Sequence, residues 1–141
     1  MNSTIVKLLP LLLVFSGLIQ SCQFITGKSM EQPSPNVTES DVKRIILRDF
    51  GPQQLETVTS ILAKCGSSPR VHLAILKLSH GDLKLLKQQT EVAIGDYRDV
   101  LAAAEYLHYN QPGRPGIDAE TARREAIKAD WKEYQTWLHR H

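Results

Sequence analysis

The feature that most constrains the fold is a long series of core-type residues spaced three and four apart in the second half of the chain. It runs through Leu83, Leu86, Thr90, Ala93, Tyr97, Val100, Ala104 and Leu107. This is the heptad pattern of a helix that packs against neighbours along its length. Asp82, directly before it, is a preferred residue for capping a helix N-terminus. The pattern predicts one unbroken helix of about 27 residues, with Tyr97 facing the packed side.

Shorter helical patterns fill the rest of the chain from Thr38 onward, and no segment alternates with the period of two that indicates a strand. Glycines and prolines divide these patterns at helix ends. The segment 70–80 is apolar on almost all sides, which is typical of a buried helix. The sequence therefore predicts an all-α fold of about five helices in a compact bundle, with segment 70–80 at its centre and one long heptad-patterned helix.

The N-terminal segment has the order of a secretory signal peptide: Lys7, then an apolar run from Leu8 to Ile19, then Ser21 directly before Cys22. Ser21-Cys22 resembles the lipobox of bacterial lipoproteins, although Ile19 stands where leucine is usual. The resemblance implies that Cys22 is lipid-modified and becomes the new N-terminus. Ordinary export and an uncleaved anchor remain alternatives, but the run is shorter than the roughly 18 apolar residues of a membrane span.

The lipoprotein interpretation divides the chain into a signal peptide (1–21), a lipidated Cys22 with a flexible tether (22–37) and a helical domain (38–141). The tether mixes glycine, serine and proline without periodicity. The lipoprotein resemblance implies export and anchoring in the bacterial cell envelope through the lipid on Cys22. It implies the outer membrane where two membranes are present, because Gln23 rather than aspartate follows the cysteine.

The charge balance argues against nucleic acid as a partner. The chain has 17 basic and 15 acidic residues, without the basic stripe that a nucleic-acid-binding protein would carry. The second cysteine, Cys65, lies on a helix face with Leu55, Val58 and Leu62, so we expect a small buried apolar side chain. The alternative, a reactive Cys65 thiol, is not supported by a Cys-x-x-Cys motif in this sequence. A Cys22–Cys65 disulfide would require that Cys22 is not lipidated.

Two polar clusters are candidate sites for chemistry. Glu105-x-x-His108 has the spacing that helical bundles use for di-metal centres, but such centres need a second copy of the motif. We therefore expect a solvated Glu105 and a surface His108. Asp96 and Asp99 share a helix face and offer a carboxylate pair, yet we expect them to form the polar flank of the long helix.

No catalytic residue, cofactor site or metal site is assigned from the sequence. The five histidines lack a metal-ligand spacing within one helix, and His72 is expected to be buried and hydrogen-bonded. There is no Gly-x-Ser-x-Gly elbow and no glycine-rich phosphate loop after a strand.

Both tryptophans lie near the C-terminus. Trp131, Tyr134 and Leu138 share one stripe of the last helix, whereas Trp137 is rotated away because each helical residue turns by about 100°. We expect the stripe to dock on the other helices and Trp137 to lie at its edge. The candidate interaction surface is therefore Trp137, Trp131 and Tyr134, since tryptophan and tyrosine are enriched at binding interfaces.

The middle third of the chain is similar to a family of small helical bacterial proteins. The similar segments are SPRVHLAILKLSHGDL at 68–83 and DYRDVLAAAEY at 96–106. The resemblance implies a helical fold and carries over no catalytic residues.

Three functions remain open. The favoured one is a cell-envelope lipoprotein whose helical domain binds another envelope protein or a second copy of itself, without catalytic activity. The alternative is a small enzyme or metal-binding protein that uses Asp96, Asp99, Glu105 or His108. The third is a purely structural envelope component.

Overall fold

The computed structural model describes residues 35–111 and 116–141. Within these residues the chain forms five α-helices and no strand, which confirms the all-α prediction. The expected signal peptide, Cys22 and the expected tether up to residue 34 lie outside the described residues. The helices are α1 (Glu39–Asp49), α2 (Leu55–Leu62), α3 (Pro69–Ser79), α4 (Leu83–Glu105) and α5 (Ala119–His139).

Side-chain caps begin two of the helices, one of them at Asp82 as the sequence predicts. The Asp82 carboxylate accepts a hydrogen bond from the Leu85 amide at 2.8 Å, and Asp118 does the same for Thr121 at 2.9 Å. These bonds satisfy amides that have no partner within the first helical turn. The hydrogen bond from the Thr121 amide also lowers the pKa of Asp118.

Helix α3 is the centre of the bundle, as predicted. It packs mainly against α4 and also against α1. Its solvent-inaccessible residues are Leu73, Ala74, Ile75 and Leu76. The other fully buried large side chains of the core include Ile45, Val58, Leu86 and Val100.

The turn between α3 and α4 requires glycine at position 81. Gly81 has φ +79°, and a Cβ atom there would lie 2.7 Å from the carbonyl oxygen of Asp49 at the end of α1. A side chain would therefore meet both an unfavourable backbone conformation and a steric clash. The missing side chain lets the turn approach α1 closely.

The prediction of one unbroken helix of about 27 residues is wrong. Helix α4 has 23 residues, and Asp96 within it has an extended backbone (φ −152°, ψ 107°). The Asp96 carboxylate accepts a hydrogen bond from the Arg98 amide at 2.9 Å, as an N-cap residue does, so a second helical segment begins there. Tyr97, directly after the break, is 51% exposed and does not face the packed side. Leu107, expected at the end of the seam, lies beyond the helix and is 47% exposed.

Helix α5 docks on the bundle through its C-terminal half. Tyr134 and Leu138 are part of the core, while Trp131 and Trp137 are half-buried against it. The packed part of the chain also includes Pro35, which is buried, and Val37, which packs against the core. Both residues fall in the segment expected to be tether. None of the helices in the described ranges has the combination of length and apolar character needed to cross a bilayer.

Candidate functional site

Several polar side chains meet where α3, the end of α4 and α5 come together. We call this group, which consists of Arg70, Lys77, Glu105, Asp130 and Tyr134, the α4–α5 junction. Glu105, Asp130 and Tyr134 are buried at 8%, 5% and 1% exposure. Buried polar groups of this kind are stable only with hydrogen-bond partners, so the partners define what the junction does.

Glu105 forms an ion pair with Arg70. The Arg70 Nε atom donates to Glu105 Oε1 at 2.9 Å and to Oε2 at 3.1 Å, and Nη2 also donates to Oε2. Nη2 further donates to the Tyr106 hydroxyl at 3.1 Å. The bonds to Glu105 raise the pKa of Arg70, which stays charged. The expectation of a solvated Glu105 is wrong, because the neighbouring helix α3 supplies a guanidinium that compensates its buried charge.

Asp130 holds the chain that follows α4. Its Oδ1 atom accepts hydrogen bonds from the amide and the Nδ1 atom of His108, both at 2.7 Å, and its Oδ2 atom accepts from the Tyr109 amide at 3.0 Å. The His108 side chain is 40% exposed. Glu105 and His108 thus have different partners, Arg70 and Asp130.

Lys77 joins α3, α4 and α5. Its ammonium group donates to the carbonyl oxygen of Ala104 at 2.7 Å and to Glu133 Oε1 at 2.8 Å. It also lies 5.9 Å from the centre of the Tyr134 ring. A cation at this position satisfies a carbonyl at the end of α4, where helical partners run out.

Tyr134 contributes a buried hydroxyl to the junction. Its hydroxyl oxygen is buried and has no hydrogen-bond partner in the described part of the chain. Burial raises the pKa of the phenol, and the negative charge of Glu105 acts in the same direction, so the group is neutral and protonated. A small cavity at the junction is lined by Pro35, Glu105, Tyr106, Ile127, Asp130, Trp131 and Tyr134.

The predicted interaction residues lie on both sides of this buried phenol. Trp131 stacks on Tyr134 with ring centres 6.3 Å apart, and Trp137 packs at 5.6 Å with a tilt of 58°. Tyr134 is itself buried, so it packs against both indoles and is not part of the accessible surface. Both tryptophans are half-buried, including Trp131, which was expected to face inward. Whether this face binds a partner stays a prediction.

Two arginines of α1 bind the C-terminal end of α5. Arg44 Nη1 donates to the Leu138 carbonyl oxygen at 2.8 Å, and Arg48 Nη1 donates to the carbonyl oxygens of Trp137 at 2.8 Å and Arg140 at 3.0 Å. These bonds satisfy carbonyls that the last helical turn leaves free. The positive charges also interact favourably with the negative end of the helix dipole. Helix α5 is therefore held at its C-terminus as well as at the junction.

Asp96 and Asp99, the predicted carboxylate pair, have different surroundings. Asp96 pairs with Arg98, whose Nε atom lies 2.9 Å from Oδ1, and this bond is the main cause that lowers the pKa of Asp96 to about 2. Asp99 is exposed. Across the two described ranges, no group of three or more histidine, cysteine, aspartate or glutamate side chains is placed to hold a metal ion.

Cys65 and His72 lie elsewhere in the fold. Cys65 is half-buried and its thiol donates to the Leu62 carbonyl oxygen at 3.0 Å, so it packs as a small side chain with one weak hydrogen bond. His72 is half-buried beside a groove between α1 and α2, and its Nε2 atom has no hydrogen-bond partner among the described residues. Burial lowers the pKa of His72, opposed by the charge of Glu39 and a backbone hydrogen bond at Leu62.

The junction ties three helices together through these hydrogen bonds and ion pairs. Sequence reasoning missed it, although one signal was present. Arg70 and Lys77 interrupt the apolar pattern of α3 seven residues apart, which places both on one face of that helix. Charges on one face of a buried helix need acidic partners elsewhere, and Glu105 and Glu133 provide them.

Comparisons with protein-family models, with curated proteins and with solved structures found no match to this chain. The resemblance of residues 68–83 and 96–106 to a family of small helical bacterial proteins stays a prediction.

Proposed function

We propose that this protein is a bacterial cell-envelope lipoprotein whose helical domain binds another envelope protein. The observation that carries the anchor is Ser21-Cys22 at the end of an apolar leader. The described helices offer no membrane span, so the lipid on Cys22 would supply the attachment to the membrane.

A binding role is supported by how the polar groups of the fold are used. The carboxylates of Glu105 and Asp130 are engaged by Arg70, His108 and Tyr109 within the domain. The half-buried indoles of Trp131 and Trp137 provide the aromatic surface that interfaces favour. A second copy of the chain is the other outcome that a binding experiment can return.

The anchor is tested with Cys22→Ala in the bacterium. We expect this variant to lose labelling by a fatty-acid analogue and to accumulate as precursor or outside the membrane fraction. Cys65→Ala is the matched control, because it removes the other cysteine and should leave labelling unchanged. Normal maturation and membrane partition of Cys22→Ala would refute the anchor.

The membrane assignment is tested with Gln23→Asp in a bacterium that has two membranes. The lipoprotein resemblance implies that an aspartate after the lipidated cysteine retains the protein at the inner membrane. We expect the wild type in the outer-membrane fraction of a density gradient and the variant in the inner one. An unchanged distribution would contradict this part of the proposal.

The partner is tested by crosslinking in intact envelopes followed by capture of the anchored protein. Trp137→Ala should weaken the affinity for the partner by roughly thirtyfold, the effect of losing an anchor worth about 2 kcal/mol, and should lower the yield of the specific crosslink accordingly. Ile94→Ala on α4 is the control, since it removes an apolar side chain that is 50% exposed. Because Trp137 also contacts the core, the comparison is made well below the melting temperature of each variant. Equal crosslinking by both variants would exclude this surface.

A further inference from the structure

A cleft lies between the N-terminal half of α5 and the chain that follows α4. It has a volume of about 400 Å³, a size typical of small-molecule sites. Alanine side chains of α5 and Ile117 supply its apolar surface, while His108, Tyr109, Arg123 and Glu125 supply polar groups. A concave surface that is mainly apolar and carries a few polar groups is the usual form of a ligand site. The cleft shares none of these residues with the tryptophan surface of the proposed function.

Asp130 fixes the direction of the His108 ring in this cleft. Its buried carboxylate accepts hydrogen bonds from the His108 amide and from Nδ1, both at 2.7 Å. An ionised carboxylate is an acceptor only, so Nδ1 carries the hydrogen of its bond. The other ring nitrogen, Nε2, has no hydrogen-bond partner in the described part of the chain, and the side chain is 40% exposed. A histidine held by a carboxylate at Nδ1 presents Nε2 to a ligand.

The same carboxylate positions Tyr109, whose ring lies beside Arg123. Asp130 Oδ2 accepts a hydrogen bond from the Tyr109 amide at 3.0 Å, and Arg123 Cζ lies 5.3 Å from the centre of the Tyr109 ring. A guanidinium over an aromatic ring keeps its N–H edge available for a carboxylate or phosphate group. Among the described residues no carboxylate pairs with Arg123, whereas its neighbour Arg124 pairs with Glu120.

We propose that this cleft binds a small organic anion through the Arg123 guanidinium and Nε2 of protonated His108, and that Asp130 is a positioning residue for the site. The ligand carries one carboxylate or phosphate group on a compact apolar body, which covers the alanine surface of α5. Glu125 lines the cleft as well. It follows Arg123 by two residues, so it projects from α5 about 160° away. Its negative charge at the other edge disfavours an extended polyanion.

Amide NMR spectra of the purified full-length protein test the site with benzoate, phenyl phosphate and neutral benzamide, at about pH 6 so that histidine is mostly protonated. We expect at least one anion to shift the signals of His108, Tyr109 and the first half of α5 in a saturable way, and benzamide to shift them little. A response to benzoate alone identifies a carboxylate ligand, and a response to phenyl phosphate alone identifies a phosphate ligand. Saturation by neither anion, or equal binding of benzamide, would overturn the proposal.

Two variants test the residues of the site, and the same spectra show whether each variant is folded. Arg123→Gln should weaken binding of the responding anion by about tenfold or more, because it removes a charged donor. His108→Phe should also weaken binding, since it keeps a ring and removes Nε2. Arg124→Gln is the matched control, because it removes the same charge from an exposed residue that does not line the cleft. Wild-type affinity in Arg123→Gln, or equal losses in Arg123→Gln and Arg124→Gln, would contradict the site.

Discussion

The guanidinium of Arg48 contacts Trp137 in two ways across a sequence separation of 89 residues. Nη1 donates to the Trp137 carbonyl oxygen at 2.8 Å, and Cζ lies 5.4 Å from the centre of the indole ring. The same side chain pairs with Asp49, whose side chain is 9% exposed. One residue of α1 therefore stabilises both the backbone and the aromatic surface at the end of α5.

We expect Arg48→Met to destabilise the domain by about 1.5–3 kcal/mol, the range for losing hydrogen bonds to a charged group. The last turn of α5 would lose its donors and Asp49 its main partner. Urea unfolding monitored by tryptophan fluorescence measures both the stability and the environment of the indole. Arg124→Met is the control, since Arg124 forms an exposed pair with Glu120 at 3.4 Å. Equal losses of stability in the two variants would show that the contacts of Arg48 with α5 and Asp49 contribute no more than an exposed ion pair does.

The Arg70–Glu105 pair should contribute more than the exposed Arg98–Asp96 pair. We expect Glu105→Gln to cost about 2 kcal/mol, because it removes the negative charge that accepts hydrogen bonds from the Arg70 guanidinium. This is less than the roughly 3–5 kcal/mol for a fully buried pair, since the Arg70 side chain is 27% exposed. Arg98→Gln should cost much less, because Arg98 is 77% exposed. A double-mutant cycle with Arg70→Gln measures the coupling, and a coupling near zero would contradict the assignment.

His72 should make the domain less stable in mild acid. Burial lowers its pKa in the folded state, so the unfolded chain takes up a proton at higher pH than the folded chain does. The free energy of unfolding is therefore unaffected above the unfolded pKa of about 6.5 and falls as the pH drops below it towards the folded value. His72→Leu should flatten this slope in urea unfolding between pH 7.5 and 5. His141→Leu, at the exposed C-terminus, should keep the wild-type slope, and a wild-type slope in His72→Leu would contradict the prediction.

Two glycines in different surroundings should respond to alanine in opposite directions. Gly81→Ala should destabilise the domain strongly, because φ is +79° and the new Cβ would lie 2.7 Å from a backbone oxygen. Gly95→Ala should stabilise it by up to about 1 kcal/mol, since Gly95 is helical and its Cβ would meet open space. Thermal unfolding of the two variants measures the difference. Destabilisation by Gly95→Ala would mean that the helix needs glycine before the break.

The helix boundaries could be predicted from the sequence because their signals are local. Asp82 and Asp118 cap the helices that follow them, and each cap involves residues three apart. The composition of α3 likewise predicted the buried centre, since a helix that is apolar on nearly all sides is stable in water only when other elements cover it.

The break in α4 and the polar junction could not be predicted in the same way. Periodicity carries on across Asp96, as Val100 and Ala104 remain buried, so the pattern alone does not show the interruption. Glu105 is buried because Arg70, 35 residues earlier, lies beside it. A single residue's partner at that separation depends on how the helices pack, which the sequence pattern does not specify.

The extended backbone at Asp96 divides α4 into parts with different attachments. The contacts of Lys77 and Asp130 reach Ala104, His108 and Tyr109, which all follow the break. Because helical order is interrupted at Asp96, loss of structure after it need not spread into residues 83–95. The amide hydrogens of residues 97–109 and of α5 should therefore exchange with solvent as one cooperative unit, separately from those of the first part of α4.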